Sequence, residues 1–319
     1  MTKELNEILK FYNNEILKVE KSFLTTCYYL KNKVDLKKLK SLKSEIEFYT
    51  NKKANIITKN NKIVLEFTNE NRKTILLKNL LKEKTKVHDK LKFVLGLNNS
   101  GESVTDNLTE APHILIAGAT GSGKSVVLNN IINSLNYYNN DLKFALIDVK
   151  RVEFSKYKSL SNLFDLALSE KEASDTLDKC ISIMTARYKL FEEKGYKNIQ
   201  EYNENEEQKL FYLVLIIDEF ADLIIQNEEI EEKVIRLTQL ARASGIHLII
   251  ATQRPTTNVI SGLIKANVPT RISLSVASTL DSKIILDEKG AENLNGKGDL
   301  LYKKVGSKEL LRIQAPFSN

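Results

Sequence analysis

A chain of 319 residues with 48 basic and 41 acidic side chains, and a net charge of +7, is long enough for two domains. Its longest apolar run, residues 211–217, is far shorter than the ~20 residues of a membrane-spanning helix. The Lys- and Asn-rich start indicates no signal peptide. Cys27 and Cys180 lack the spacing of metal ligands, which favours idle thiols in a reducing cytoplasm.

The charge is concentrated near the N-terminus. Residues 1–100 contain 22 Lys or Arg and 11 Asp or Glu, whereas the remainder contains 26 and 30. A basic third beside a mildly acidic remainder is typical of proteins with a polyanionic partner. Lys and Asn are frequent throughout, however, so ordinary solvated lysines explain the pattern equally well, and the charge alone leaves both interpretations open.

The first third of the chain mixes helical and strand patterns. Apolar residues at helical spacing over residues 1–30 predict an amphipathic N-terminal helix, to which we assign residues 1–35 and which docks on its own domain or on a partner helix. Residues 36–107 predict a small α+β domain with a Lys-rich helix. Its short strands lie around 55–57 and 63–67, and Asn60-Asn61 forms the hairpin turn between them.

From residue 108 to residue 319, strands and helices alternate. Continuous apolar runs predict strands at 113–117, 143–147, 211–217, 246–251 and 271–276. Helical periodicity predicts helices at 124–137, 171–192 and 228–243, and the polar stretch 197–209 reads as a surface loop. Apolar strands between helices indicate an α/β domain with a mainly parallel sheet covered on both faces. His113 and His247 each begin a predicted strand, which favours a packing role.

A glycine-rich segment between the first of these strands and the first helix carries the strongest motif. Residues 118–125 match G-x-x-x-x-G-K-[ST] at every fixed position. Glycines there let several backbone N–H groups converge on a phosphate at a helix N-terminus. The motif and the residue after it give the candidate nucleotide-binding set Gly118, Ala119, Thr120, Gly121, Ser122, Gly123, Lys124, Ser125 and Val126. Lys124 is expected to reach the β- and γ-phosphates of ATP, and Ser125 to bind Mg²⁺.

Two later strands end in polar groups. The apolar run 213–217 leads into Asp218, a candidate Mg²⁺ ligand, and Glu219, a candidate general base for the attacking water. The run 247–251 leads to Gln253, a candidate for sensing the γ-phosphate or for positioning water. Phosphoryl transfer also uses a positive charge that a neighbouring subunit can supply, and Arg242 and Arg271 are the candidates.

Several segments of this sequence, in their order along the chain, resemble the motor of the FtsK/SpoIIIE DNA translocases. The resemblance covers about residues 90–303. It is carried by the blocks Ala111–Val126, Ile147–Phe154, Asp218–Leu223, Arg242–Leu248, Ala251–Pro255, Ile260–Arg271, Asp281–Asp287, Gly290–Glu292 and Gly296–Leu301. The resemblance implies a RecA-like P-loop ATPase that forms a hexameric ring around double-stranded DNA and hydrolyses ATP between subunits. Residues 36–107 are similar to the smaller α domain of that family.

Position by position, the resemblance implies ATP and Mg²⁺ at Lys124 and Ser125, and hydrolysis by Asp218 and Glu219. Gln253 resembles the sensor. Arg242 is the first choice for the arginine finger and Arg271 the second. Loops that face the pore in the family suggest phosphate contacts by Arg254, Lys265 and Lys283.

Family members usually carry N-terminal membrane helices and a C-terminal winged-helix γ domain, and we find neither pattern here. We therefore expect a duplex-DNA translocase of a plasmid, phage or integrative element, with conjugative transfer as the preferred process. The alternative is a nucleotide-gated coupling or adaptor protein that recruits a relaxase or a membrane channel protein without processive translocation.

Overall fold

The structure is a computed structural model. It describes residues 2–31, 38, 43–59, 61–69, 74–81, 91–139, 141–225, 227–307 and 309–318. The chain forms two compact units. The first comprises Met1–Thr74 and Leu97–Ser103, and the second comprises Ile75–Gly96 and Val104–Asn319. The expected domain boundary at residue 107 stays a prediction.

The first unit contains an antiparallel sheet and two described helices. Strands are adjacent in the order β1-β2-β4-β3. The apolar core joins helix and sheet residues, among them Leu5, Ile46 and Leu65. The elements are α1 (Thr2–Phe11), β1 (Ile16–Lys21), β2 (Thr25–Leu30), α2 (Lys43–Thr50), β3 (Ala54–Lys59) and β4 (Lys62–Thr68).

The long N-terminal helix predicted over residues 1–35 is wrong. The helix ends at Phe11, and two paired antiparallel strands follow. Asn13 has a φ of 55°, the left-handed conformation that commonly ends helices. The run Thr25–Leu30 is rich in β-branched and aromatic residues and is fully buried, so strand propensity and packing override the helical spacing.

The hairpin predicted in this unit is confirmed. Strands β3 and β4 pair antiparallel, with Lys59 opposite Lys62. Asn61 has a φ of 57°, as tight hairpin turns require, whereas Asn60 lies outside the described residues.

The second unit is built on a sheet of ten strands in the order β6-β5-β14-β13-β12-β7-β11-β10-β8-β9. The strands are β5 (Lys92–Asn98), β6 (Ser103–Asn107), β7 (His113–Ala117), β8 (Leu142–Ile147), β9 (Leu163–Ala167), β10 (Tyr212–Ile217), β11 (Ile246–Thr252), β12 (Thr270–Leu274), β13 (Asp299–Lys303) and β14 (Leu311–Gln314). The helices are α3 (Leu77–Leu80), α4 (Lys124–Tyr138), α5 (Glu170–Lys194), α6 (Ile199–Asn205), α7 (Phe220–Ile224), α8 (Glu228–Leu240), α9 (Gly262–Asn267) and α10 (Thr279–Leu286).

The predicted α/β architecture is confirmed. Six adjacent strands, β12 to β9 in the sheet order, pair in parallel, and β13 and β14 continue the sheet antiparallel. Two apolar clusters contain the side chains of alternate strand residues, as in a sheet covered on both faces: Leu215 belongs to one and Val214 to the other. The five predicted strands and three predicted helices are all present, with ends that shift by at most three residues.

One prediction in this unit is wrong. Residues 199–205, expected to be part of a surface loop, form helix α6. Asn198 accepts a hydrogen bond from the Glu201 amide, and the Glu201 carboxylate accepts one from Lys197 N–H. The Asn-x-x-Glu spacing that makes this N-cap possible is present in the sequence.

Within the described part of the chain, no helix has the length and apolar character needed to cross a bilayer.

Candidate nucleotide-binding site

The phosphate loop follows β7 and leads into α4. Gly121 and Gly123 have φ angles of 77° and 103°, values that side-chain-bearing residues adopt at a cost. A Cβ on Gly123 would lie 2.5 Å from the backbone N of Gly298, and one on Gly118 would lie 2.7 Å from the Cβ of Leu274. Backbone conformation therefore favours glycine at residue 121, packing requires it at residue 118, and both require it at Gly123.

A second loop lies directly against the phosphate loop. The Gly298 N–H donates to the Ser122 carbonyl over 2.8 Å, and the Gly298 carbonyl accepts from Ala315 N–H over 2.8 Å. The Lys297 carbonyl accepts from the Gln314 side chain. Strand β14 thus supports the loop that supports the phosphate loop, a role that sequence reasoning did not assign to these residues.

Lys124, the motif lysine, is buried against the end of β10. Its Nζ lies 2.7 Å from Asp218 Oδ1 and 2.5 Å from the Asp218 carbonyl oxygen. Burial raises the pKa of Asp218 above its ordinary value, and the attraction of Lys124 offsets only part of that effect. The motif lysine Lys124 and the candidate Mg²⁺ ligand Asp218 are therefore in direct contact.

Ser125, the candidate Mg²⁺ ligand, donates its hydroxyl proton to Glu153 Oε1 over 2.5 Å. Glu153 lies in the loop after β8 and is half-buried. The neighbouring Asp148 carboxylate accepts from the backbone N–H groups of Glu153 and Phe154 and so holds this loop. Glu153 belongs to one of the blocks that carry the family resemblance, but no role was predicted for it.

The candidate general base is also fixed by hydrogen bonds. Glu219 is buried, with 4% of its surface exposed. Its carboxylate accepts from the Thr252 hydroxyl over 2.7 Å and from Gln253 N–H over 2.9 Å. Gln253 in turn accepts from the Thr120 hydroxyl over 2.7 Å. A continuous chain of hydrogen bonds therefore links the phosphate loop, the end of β11 and Glu219.

The donor set is suited to a magnesium–nucleotide complex. The site combines backbone N–H groups and a lysine for phosphates with the Ser125 hydroxyl and the Asp218 carboxylate. Mg²⁺ is usually held in such sites by one or two carboxylate or hydroxyl groups together with the substrate phosphates. A metal centre formed by protein side chains alone is not expected, and no group of three or more His, Cys, Asp or Glu suited to a metal ion occurs among the described residues.

Arg242 lies in the turn before β11, at the edge of the sheet opposite the phosphate loop. β7 and β11 are parallel, so both begin at this edge and end at the other. The seven residues of β11 span about 20 Å. Arg242 is exposed, and its guanidinium donates to the Thr109 carbonyl over 3.2 Å. In this position it is separated from the nucleotide site of its own subunit.

The turn that carries Arg242 is held by α5 and α6. Arg187 is buried and donates to the carbonyls of Ser244 and Phe211 over 2.6 Å each. Tyr188 donates to the Leu240 carbonyl. Burial lowers the pKa of Arg187 to about 10, which still leaves it charged near neutral pH. Arg187 was missed because an arginine in an amphipathic helix resembles any surface arginine in sequence.

Comparison with known proteins connects this geometry to a family. The model of the FtsK/SpoIIIE family matches residues 76–257. The DNA translocase FtsK of Clostridium acetobutylicum is 44% identical over 268 residues, which are 81% of this chain and 35% of that protein. The chain belongs to the FtsK/SpoIIIE family. SpoIIIE of Bacillus subtilis is 43% identical over 271 residues, covering 80% of the chain and 34% of the relative. The chain thus spans about a third of the length of these relatives.

Solved structures agree with the fold. The chain matches the pCW3 conjugation coupling protein TcpA, a monomer form with ATPγS, with a TM-score of 0.72 and 25% identity, covering 99% of this chain and 94% of the other. The cytoplasmic domain of the type VII secretion ATPase EccC from Thermomonospora curvata matches with a TM-score of 0.69 and 23% identity, covering 77% of this chain and 32% of the other. Family and fold together identify a RecA-like P-loop ATPase.

The second arginine candidate of this FtsK/SpoIIIE chain has a different environment. Arg271 is 7% exposed and forms an ion pair with Asp287. It also donates to the carbonyls of Lys265, Val268 and Ile285. Its guanidinium is therefore engaged within its own subunit, which makes it less suited than Arg242 to reach a neighbour.

The three candidate DNA contacts divide into two groups. Arg254 and Lys283 are exposed. Lys265 instead forms an ion pair with Asp287, the same carboxylate that binds Arg271. Burial raises the pKa of Asp287, but the hydrogen bonds from Lys265 and Arg271 outweigh this effect and lower it on balance. Asp287 is therefore a stable anion, and its negative charge offsets part of the positive charge of Lys265.

Proposed function

We propose that this FtsK/SpoIIIE-family ATPase hydrolyses MgATP to move along double-stranded DNA. The observation that carries the proposal is the arrangement at one edge of the sheet. Lys124 contacts Asp218, and the Thr120–Gln253–Glu219 hydrogen bonds join the phosphate loop to the candidate base. Lys124 and the loop N–H groups bind the phosphates, and Glu219 accepts the proton of the attacking water. Ser125 and Asp218 would hold Mg²⁺, which would supply charge stabilisation at the phosphates.

The position of Arg242 supports hydrolysis between subunits. An exposed arginine at the edge opposite the phosphate loop is placed to reach the nucleotide of a neighbouring copy. We propose a homo-hexameric ring, in which each Arg242 stabilises charge on the phosphates bound by the next subunit. Electron microscopy with duplex DNA and a non-hydrolysable ATP analogue should show six-fold rings, and a persistent monomer under these conditions would refute the ring.

Substitution of the arginine tests the shared site directly. Arg242→Ala should retain nucleotide binding but stop hydrolysis, and it should inhibit wild-type subunits when the two are mixed. Arg236→Ala, which removes an exposed arginine of α8, is the matched control. An active Arg242→Ala protein would transfer the proposed role to Arg271.

Phosphate contacts by Arg254 and Lys283 suit movement along any duplex, because backbone phosphates carry charge but no sequence information. Replacement of either residue by Ala should weaken binding to all duplex sequences alike and reduce the slope of log K against log salt by about one unit. Lys265→Ala should have a smaller effect because Asp287 already binds that side chain.

The biological setting we propose is DNA transfer by a plasmid, phage or integrative element. The similarity to a conjugation coupling protein over nearly the whole chain supports conjugation within this group. A relaxase or a membrane channel protein is then the expected protein partner. Cys27 and Cys180 are both buried thiols, which is compatible with the cytoplasmic location that the proposal assumes.

The same similarity supports a second candidate function, a nucleotide-gated coupling protein that recruits its partner without processive translocation. Steady-state ATPase rates with and without long linear duplex DNA, at low and moderate salt, distinguish the two. A translocase should be strongly stimulated by duplex, lose that stimulation with salt, and be inactive as Glu219→Gln, whereas the control Glu229→Gln on the exposed start of α8 should be active. A slow rate indifferent to DNA would favour the coupling protein.

A further inference from the structure

The contact between Ser125 and Glu153 has a chemical consequence for the proposed Mg²⁺ site. Ser125 is in the first turn of α4, and its hydroxyl donates to Glu153 Oε1 over 2.5 Å. A serine hydroxyl that gives a lone pair to a cation keeps its proton and needs an acceptor for it. Glu153 already occupies the acceptor position, so the contact and a cation on Ser125 are compatible.

The loop that carries Glu153 is fixed from three directions. Asp148 Oδ2 accepts from Glu153 N–H over 2.8 Å and from Phe154 N–H over 2.9 Å. The Phe154 ring is fully buried in the core on one face of the sheet. Tyr157 donates to Asn129 of α4 over 2.8 Å, which ties the loop to the helix that begins with the phosphate loop. The position of Glu153 relative to Ser125 is therefore fixed by the hydrogen bonds and the packing of its loop and by the bond between that loop and α4.

The carboxylates of the loop after β8 also favour a cation at this site. The Glu153 carboxylate contacts the Ser125 hydroxyl, and the Asp148 carboxylate binds the backbone N–H groups of Glu153 and Phe154, so the loop brings two carboxylates to the start of α4. One oxygen of Asp148 is buried and accepts no hydrogen bond from the described residues. The loop after β8 therefore adds negative potential next to Ser125, which favours a divalent cation there.

We propose that Glu153 is a positioning residue of the MgATP site: it accepts the Ser125 hydroxyl proton and orients the lone pair of that oxygen toward Mg²⁺. This inference rests on the proposed function, since it assumes MgATP at the phosphate loop. Groups that orient metal ligands in this way typically change metal affinity by 10–100-fold when they are removed.

The test separates metal affinity from nucleotide affinity. Binding of the fluorescent analogue mant-ATP is measured in EDTA and then during titration with MgCl₂, for the wild type, Glu153→Met and Glu153→Gln. Met has similar length and no strong acceptor, whereas Gln keeps a carbonyl acceptor and loses the charge. Glu193→Gln, an exposed carboxylate near the end of α5, is the control for loss of a negative charge.

We expect Glu153→Met to raise the free Mg²⁺ concentration at half-saturation by about 10–100-fold, with mant-ATP affinity in EDTA within twofold of the wild type. Glu153→Gln should show a smaller rise and Glu193→Gln none. A midpoint within twofold of the wild type in both Glu153 variants would overturn the inference alone, and Glu153→Gln decides the question if Glu153→Met does not fold. If the wild type binds no mant-ATP, the proposed function fails and this inference fails with it.

Discussion

Two buried histidines should make the second unit sensitive to mild acid. His113 Nδ1 accepts a hydrogen bond from Leu248 N–H, and His247 Nδ1 lies 3.1 Å from the Pro112 carbonyl, to which it can only donate. Acceptance at Nδ1 requires a neutral His113 ring, and burial disfavours the charged form of both rings. Burial, with smaller contributions from His247 and Arg242, lowers the pKa of His113 to about 3. Burial and Arg242 lower the pKa of His247 to about 4, despite its hydrogen bond to Pro112.

The sign and size of the effect follow from these values. Below the ordinary histidine pKa of about 6.5, the unfolded chain binds protons that the folded chain excludes, so stability falls as the pH falls toward 4. Between the ordinary pKa of about 6.5 and the lower pKa of the folded state, each histidine lowers the free energy of unfolding by about 1.36 kcal/mol per pH unit. At pH 5 the loss is therefore about 2 kcal/mol for each histidine. The pair together should remove about 4 kcal/mol between pH 7.5 and pH 5.

The double variant His113→Asn/His247→Asn supplies the comparison. An Asn side chain can place an acceptor or a donor near the position of the histidine Nδ1, but it does not titrate. Guanidinium denaturation of wild type and variant at pH 7.5 and 5.0, with the transition of the second unit fitted separately, measures the difference. Titrating carboxylates affect both proteins alike, so the wild type should lose about 4 kcal/mol more than the variant. Equal losses in the two proteins would refute the reasoning.

Three further predictions concern the site. Thr252→Val removes a donor to Glu219 and should lower the ATPase rate about tenfold with nucleotide affinity unchanged, whereas Thr252→Ser should retain activity; equal rates for both would show that the hydroxyl is dispensable. Arg187→Met removes the donor to the buried Ser244 carbonyl and to the half-buried Phe211 carbonyl, and should lower the free energy of unfolding in chemical denaturation by about 1–3 kcal/mol for the first and by less for the second. Gly123→Ala should weaken mant-ATP binding at least about tenfold, because the left-handed conformation costs about 1–2 kcal/mol and the new Cβ would lie 2.5 Å from the backbone of Gly298; wild-type affinity would contradict this.

The central sheet was predictable because local signals and tertiary structure agree there. Strands buried on both faces appear as unbroken apolar runs, such as residues 213–217, and the helices between them repeat their apolar residues at helical spacing. The phosphate loop was predictable because its backbone adopts positive φ angles, which glycine adopts readily and other residues adopt at a cost. The prediction for the N-terminal region was wrong because the apolar spacing there fits one long helix. In the structure, the turn at Asn13 ends the helix, and the β-prone run after it forms strands.

Pairings between distant segments account for what the sequence did not reveal at the site. Glu153 looks like one more acidic loop residue until the fold places it against Ser125. Arg271 and Lys265 look like two available cations until Asp287 is found between them. Neither arrangement has a local signature, because each joins side chains from separate segments that only the fold brings together. The sequence shows which chemistry a residue type can perform, but it does not show whether another side chain already binds that residue.

The support of the phosphate loop by the last strand bears on how the protein is synthesised. The loop is translated early, yet its Ser122 carbonyl is bonded by Gly298, which is itself bonded by Ala315 near the end of the chain. Domains form as the chain emerges from the ribosome, N-terminal parts first, and contacts between remote segments form late. A nascent chain stopped before β14 therefore holds the whole motif and the Gly298 loop in sequence, but it lacks the strand that holds this loop in place. Competence to bind nucleotide should appear only after β14 has left the ribosome.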